Sequence, residues 1–333
     1  MKAVVINDFG KPSTFSITNL STRELKPGEL KINVKATSVN PVDTKVRSGQ
    51  AEAFAPAFPA VLHGDVAGIV EEVYEGSPFQ KGDEVYACAG GVKGLDGALR
   101  EQMIVDQKLV ARKPERLSMK EAAALPLVSI TAWEALVDRM NVQPGQSVLI
   151  HGATGGVGHI AIQLAKSLGA IVYTTASTSE KMKIGQDLGA DYAINYKETT
   201  VEEYVKQYTD GKGFDAVFDT VGGENMEKAF QAVRNGGQVA CIVGSGEHDM
   251  TPLYVKSATY HGVLMLIPML TNEGREHHGE ILTSIARMVD HGVLKPVLDE
   301  ESFTFSTIAE AHNRLESGKT IGKVVAENDL SQI

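Results

Sequence analysis

The 333-residue chain has only two cysteines, Cys88 and Cys241, and one tryptophan. Two thiols among apolar or small neighbours give no disulfide framework and no cysteine cluster for structural zinc, and they suit a reducing compartment. A basic surplus is missing too: 32 Lys and Arg face 42 Asp and Glu, a formal charge of −10. That balance argues against a nucleic-acid or anionic-membrane binder, because phosphate binding needs clustered cations. Long apolar runs are absent. The opening MKAVVINDFG is far too short in its apolar part for a signal sequence, and nothing approaches the ~20 residues of a membrane span. The remaining composition, 43% hydrophobic and 22% charged, is that of an ordinary globular protein. With a length beyond one typical domain, the expectation is a cytoplasmic protein with two cores.

What is present centres on VLIHGATGGVGHIAIQLAKSLGA, residues 148–170. An apolar run, Val148 to Ile150, enters a glycine-dense turn. Apolar residues then recur at Val157, Ile160, Ala161, Leu164, Ala165 and Leu168, which is helical spacing. Strand, turn and helix in this order, with Ala153-x-Gly155-x-x-Gly158, make a dinucleotide fingerprint with alanine at its first position. Small residues are needed because a pyrophosphate must approach bare N–H groups at a helix N-terminus. The turn residues Ala153, Thr154, Gly155, Gly156 and Val157 are therefore cofactor-binding candidates.

Residues before 120 alternate as short strands do (MKAVVI, LKINVKATSV, VAGIVEEV, EQMIVD), with turns at KPGEL and QKGDEV and no helical pattern of convincing length. The segment 120–139 is helical and splits at Pro126. From Gln146 the rhythm changes: six apolar strands (SVLI, IVYTTA, YAIN, FDAVFDTV, QVACIVG, YHGVLML) alternate with helices near 157–168, 179–188, 200–209 and 224–233. Such alternation implies right-handed crossovers and a doubly wound six-stranded parallel sheet. The tail carries a long helix, a short one and a last strand, GKVVAE. The expected domains are a β-rich one, 1–125 with 270–333, and a nucleotide-binding one, 126–269.

This order of parts resembles the medium-chain dehydrogenase/reductase family over the whole chain. The strings SVNPVDTKVRSG, HGDVAGIVEEV, KGDEVYA, EAAALPLVSITAWEAL, LGADYAINY and FDTVGG, with the glycine turn, resemble its zinc-free quinone oxidoreductase branch. The resemblance implies an α/β protein: a β-rich GroES-like catalytic domain and a Rossmann domain. It also implies a homodimer, commonly joined through the sixth strands, with YHGVLMLIPML as an apolar edge. Zinc-dependent relatives carry ligands in the regions of 39–44, Gly64-Asp65 and 127–129. Here those regions offer Asn40-Pro41-Val42-Asp43, a glycine, and Leu127-Val128-Ser129, short of the three ligands that catalytic zinc requires. No metal is expected.

NAD sites of this fold place a carboxylate roughly 20 residues beyond the glycines to hold the ribose 2′-OH. The corresponding strand end is Thr175-Ala176-Ser177, with no carboxylate to repel a 2′-phosphate. Ser177 can donate a hydrogen bond and Lys181 can supply charge. The resemblance adds Tyr196, and the three together indicate NADPH. It also implies cofactor contacts at Thr131, Val221, Gly244, Ser245, Leu264 and Met265, most of them at carboxyl ends of strands. For the chemistry, hydride transfer to a quinone or α,β-unsaturated carbonyl needs positioning and stabilisation of charge on the acceptor oxygen. Asn40, Lys45 and Arg47 are the candidates: Asn40 to donate to a carbonyl, Lys45 to stabilise an anion or give a proton, and Arg47 held by Asp43. Alternatives are a 2-enoyl thioester reductase, a zinc alcohol dehydrogenase lacking its ligands, and a non-catalytic NADPH-binding protein.

Overall fold

The computed structural model describes residues 1–333. They form two compact units, Met1–Leu127 with Leu266–Ile333, and Val128–Met265.

The first unit holds strands β1 (Lys2–Val5), β2 (Ser16–Asn19), β3 (Glu29–Ser38), β4 (Asp65–Val73), β5 (Glu84–Cys88), β6 (Gln102–Asp106) and β7 (Val110–Arg112), with β14 (Phe303–Thr304) and β15 (Val325–Glu327) from the C-terminal part. Seven of them run in the order β14-β15-β3-β4-β5-β7, with β6 also paired to β3. The alternation in LKINVKAT explains the central place of β3: Leu30, Ile32, Val34 and Ala36 are buried, and Lys35 between them is exposed. An eight-residue helix, α1 (Pro41–Ser48), corrects the expectation of strands and loops alone. Pro41 at its first position has φ preset for a helix and no N–H to lose there.

The helical stretch from 119 divides as expected into α2 (Met119–Ala123) and α3 (Pro126–Trp133), with Pro126 opening the second piece. The second unit then winds β8 (Ser147–Ile150), α4 (Gly158–Ser167), β9 (Ile171–Ala176), α5 (Ser179–Asp187), β10 (Tyr192–Asn195), α6 (Val201–Thr209), β11 (Phe214–Asp219), α7 (Asn225–Ala232), β12 (Val233–Cys241), α8 (Thr251–Val255) and β13 (Thr259–Gly262). The six strands are parallel, in the order β10-β9-β8-β11-β12-β13. Apolar side chains fill the layer between sheet and helices, Leu149, Phe214, Val217, Phe230 and Val239 being fully buried. Each such side chain stabilises the fold by about 1.5–3 kcal/mol. The sixth strand is shorter than its apolar run, because pairing with β12 stops at Gly262. Helices α9 (Ile267–Thr271), α10 (Arg275–Asp290) and α11 (Ile308–Glu316) belong to the first unit.

Strand order reverses between β8 and β11. Chains leaving these two strands run to opposite sides of the sheet, so a crevice opens at their carboxyl ends, where sheets of this kind bind ligands.

Candidate active site

Gly152, directly after β8, has φ 82°. Only glycine takes that conformation without cost, so it makes the sharp turn. The turn is pinned to β9 through Gly152 N–H to Thr175 Oγ1 at 3.2 Å and Ala153 N–H to Thr175 O at 3.0 Å. A Cβ on Gly158 would overlap the carbonyl oxygen of Gly152, which fixes how closely α4 approaches the turn. A Cβ on Gly155 meets only ordinary contact, so this backbone stays open to a ligand. Ala153 is fully buried and its methyl packs near Gly185 of α5. The methyl therefore spaces α5 from the turn.

A cleft of about 440 Å³ opens at this turn. Gly152, Ala153 and Thr154 form its floor, Ser177, Lys181 and Tyr196 one wall, and Val221, Gly222, Glu224, Asn225 and Lys228 the other. Gly155, Gly156 and Val157 lead from it into α4. Ser177 follows β9, Lys181 lies in the first turn of α5, and Tyr196 follows β10, its ring 49% exposed. The strand ends thus bring together three donors scattered over 20 residues of sequence, and no carboxylate stands at the end of β9. Thr131 and Met265 are buried, Leu264 is half-exposed and Gly244 and Ser245 are exposed beyond β12. None of these five lines the cleft.

The second wall rests on a buried polar cluster that sequence reading missed. Asp219, at the end of β11, is fully buried and accepts from Val221 N–H (3.0 Å), Gly222 N–H (3.1 Å) and Asn225 Nδ2 (2.8 Å). His151 Nδ1 lies 2.6 Å from Asn225 Nδ2 and 3.6 Å from Asp219. Burial pushes the Asp219 carboxyl up, but His151 and the Val221 and Asn225 donors outweigh it and hold the pKa at about 2. The carboxylate stays charged and shapes the loop 219–225. An acid at a strand end followed by paired glycines was the signal available for it.

In the first unit, Asn40, Lys45 and Arg47 part company. Asn40 is 1% exposed; its Nδ2 donates to Asp65 at 2.8 Å and its Oδ1 accepts from Lys323. One Nδ2 proton and Oδ1 are engaged by these neighbours and the side chain is enclosed, so the structure places Asn40 in the core of the first unit. Arg47 is 2% exposed and bonds His312 Nδ1 (3.2 Å), Gly10 O and Glu316 (2.5 Å), so it is locked too, and its acidic partner is Glu316 in place of Asp43. Asp43 instead accepts the Asn40 N–H at 2.7 Å. Burial raises its carboxyl to about 7. Lys45 alone is exposed.

Behind Asn40, Asp65 accepts from Ser38 Oγ (2.6 Å) and Leu127 N–H (2.8 Å), and its carboxylate lies 3.6 Å from the Lys323 ammonium. Burial lowers the Lys323 pKa, opposed by Asp65 and Asp43. Next to them, Arg47 Nε–H points at His312 Nδ1, so the His312 proton sits on Nε2 and faces His63 Nε2 at 2.9 Å. His63 then has its proton on Nδ1, 3.3 Å from Thr37 Oγ1. Nowhere does the chain gather three or more His, Cys, Asp or Glu side chains placed to hold a metal. Both cysteines are buried and free, and burial raises their thiols.

The chain matches a family model described as alcohol dehydrogenase GroES-like domain over residues 26–115 and one described as zinc-binding dehydrogenase over 188–325. It is 35% identical to 2-methylene-furan-3-one reductase of Solanum lycopersicum, covering 98% of this chain and 78% of that protein. Against the quinone oxidoreductase of Homo sapiens identity is 30%, over 98% of this chain and 97% of the relative. The structure of Escherichia coli quinone oxidoreductase complexed with NADPH superposes with a TM-score of 0.87 at 26% identity, covering 98% of this chain and all of that one (100%). The chain belongs to the medium-chain dehydrogenase/reductase family, in its quinone oxidoreductase branch.

Proposed function

We propose that this protein is an NADPH-dependent reductase of quinones or α,β-unsaturated carbonyls, with Val128–Met265 as the cofactor domain and the remainder as the substrate domain. The observation that carries the reading is the cleft at the strand-order reversal, where the Gly152–Thr154 turn, Ser177, Lys181 and Tyr196 meet with no carboxylate at the end of β9. Similarity to the tomato furanone reductase and to quinone oxidoreductases supports the substrate class.

The residues fit the cofactor. The turn from Gly152 to Thr154 would hold the pyrophosphate, and Ser177, Lys181 and Tyr196 the 2′-phosphate. NADPH supplies a hydride; the chain's tasks are to fix geometry and to stabilise charge on the acceptor. Asp219 keeps the 219–225 wall in shape while remaining ionised. With Asn40 and Arg47 committed to the core, the proton that completes reduction comes from solvent or from Lys45. The work is metal-independent in this reading, supported by the glycine at position 64 and the lack of a three-ligand cluster.

We also propose a cytoplasmic homodimer. Two free thiols support a reducing compartment. No helix is long and apolar enough to cross a membrane. The dimer is argued from the edge position of β13, beside which Tyr254 (85%), Val255 (68%) and Leu264 (43%) are exposed. An unpaired edge with apolar neighbours calls for a covering partner.

NADPH consumption against a panel of quinones, enones and enoyl thioesters tests the reading. Turnover of quinones or enones is expected. Turnover of thioesters alone would assign a 2-enoyl thioester reductase, and binding without turnover a non-catalytic NADPH-binding protein.

A further inference from the structure

Lys228 lies on α7, in the wall of the cleft that faces Lys181 and Tyr196. It is three residues beyond Asn225, so the two share one helix face. Asn225 lines the same cleft and is tied to Asp219 at 2.8 Å and to His151 at 2.6 Å. The first turn of α7 is therefore anchored to the ends of β8 and β11, and Lys228 is presented from a fixed base. The side chain is exposed and its ammonium is engaged by no carboxylate or carbonyl. Glu224, four residues earlier on the same wall, does not pair with it. Elsewhere in this unit cations are paired: Lys166 with Asp191, Lys183 with Asp187, Arg234 with Asp215. Lys181 and Lys228 are the two unpaired ammonium groups in the cleft lining.

A ribose 2′-phosphate carries close to two negative charges, and a single exposed lysine neutralises only one of them. We propose that Lys228 is a second cationic determinant of NADPH specificity, reaching across the cleft from α7 to the phosphate that Lys181 meets from α5. The proposal rests on the NADPH reading of this cleft and extends it to the opposite wall. Lys228 is not required for a dinucleotide that lacks the phosphate.

Calorimetric titration of NADPH and NADH, and of 2′,5′-ADP and 5′-AMP, into the wild type and the variants Lys228→Gln, Lys228→Arg and Lys181→Gln tests it. Lys228→Gln is expected to weaken NADPH and 2′,5′-ADP by about 5- to 10-fold, as removal of one partly solvated charge from a dianion should, with NADH and 5′-AMP changed by less than about twofold. Lys228→Arg should restore most of the preference. Equal weakening of the phosphorylated and unphosphorylated ligands, or no change in either, overturns the role of Lys228. Wild type that binds NADH as tightly as NADPH overturns the cofactor reading itself. In that case Lys181→Gln would be silent as well, which separates the two failures.

Discussion

Ser177 stands at the end of β9, where a carboxylate would accept from a ribose 2′-OH and repel a 2′-phosphate. Ser177→Asp should therefore lower kcat/KM for NADPH by about 10- to 100-fold while sparing or improving NADH, since like charges at short range cost on the order of 1–4 kcal/mol near a protein surface. Steady-state kinetics with both cofactors check this. In the other unit, the Lys323 ammonium compensates Asp65 at 3.6 Å, both fully enclosed. Removing one member of a buried pair strands the other, so Lys323→Met should destabilise the fold by about 3–5 kcal/mol in urea unfolding. Residues of the first kind were legible in the sequence, because their meaning follows from their distance beyond the glycine turn. Asn40 and Arg47 were not: their types suggest chemistry, and only the approach of Lys323, His312 and Glu316, from the far end of the chain, shows that they are spent on packing.

The two neutral histidines add a pH dependence. Burial, then the neighbouring Lys323, pulls His63 down to about 3; burial, then His63 and Arg47, takes His312 well below its ordinary value. Below pH ~6.5 the unfolded chain takes up protons that these imidazoles refuse. Their stabilisation is thus complete above ~6.5 and is lost as pH falls toward 3, at about 1.4 kcal/mol per pH unit for each group. Asp43, raised to about 7, acts in the opposite sense between its unfolded value of 3.8 and 7. The net expectation is a loss of about 0.8 kcal/mol between pH ~6.5 and ~5.5, measured by urea unfolding at each pH. A stability that rises on acidification across this window would contradict the neutral-pair assignment.

At the scale of elements, the cofactor cleft depends on one close approach and one buried charge. A methyl on Gly158 has no room against Gly152 O, so Gly158→Ala should push α4 off the turn. Loss of at least ~10-fold in NADPH affinity is expected, with a lowered Tm. Asp219→Ala would leave the donors of Val221, Gly222 and Asn225 without their acceptor. With charged hydrogen bonds contributing ~1.5–3 kcal/mol each and partial relaxation, a destabilisation of about 3 kcal/mol follows. The strand–turn–helix that holds Gly158 is a local pattern and could be read directly. Helix α1 could not, because eight residues that start at a proline and end before a glycine carry too few apolar positions to show helical period, and tertiary packing of Val46 and the buried Asp43 and Arg47 holds it in place.

For the whole molecule, a parallel sheet of six strands leaves two edges, β10 and β13. The proposed dimer covers the second; sedimentation at micromolar concentration should give one species of twice the chain mass of 35.7 kDa. Replacing Val255 and Leu264 by lysine should shift it to monomer. The doubly wound topology was legible from the alternation of apolar strands with single helices, since chirality and short connections leave few other arrangements. Pairing of β15 with β3 brings the end of the chain back to residues 36–38, a partnership that no local pattern encodes. The central claim is a preference for the phosphorylated cofactor in reduction of an activated double bond or quinone. Its most direct test is the ratio of kcat/KM for NADPH to that for NADH, measured on the purified protein with a quinone and an enone as acceptors. A ratio above about 10 is predicted from one well-met phosphate; a ratio at or below one would contradict the account.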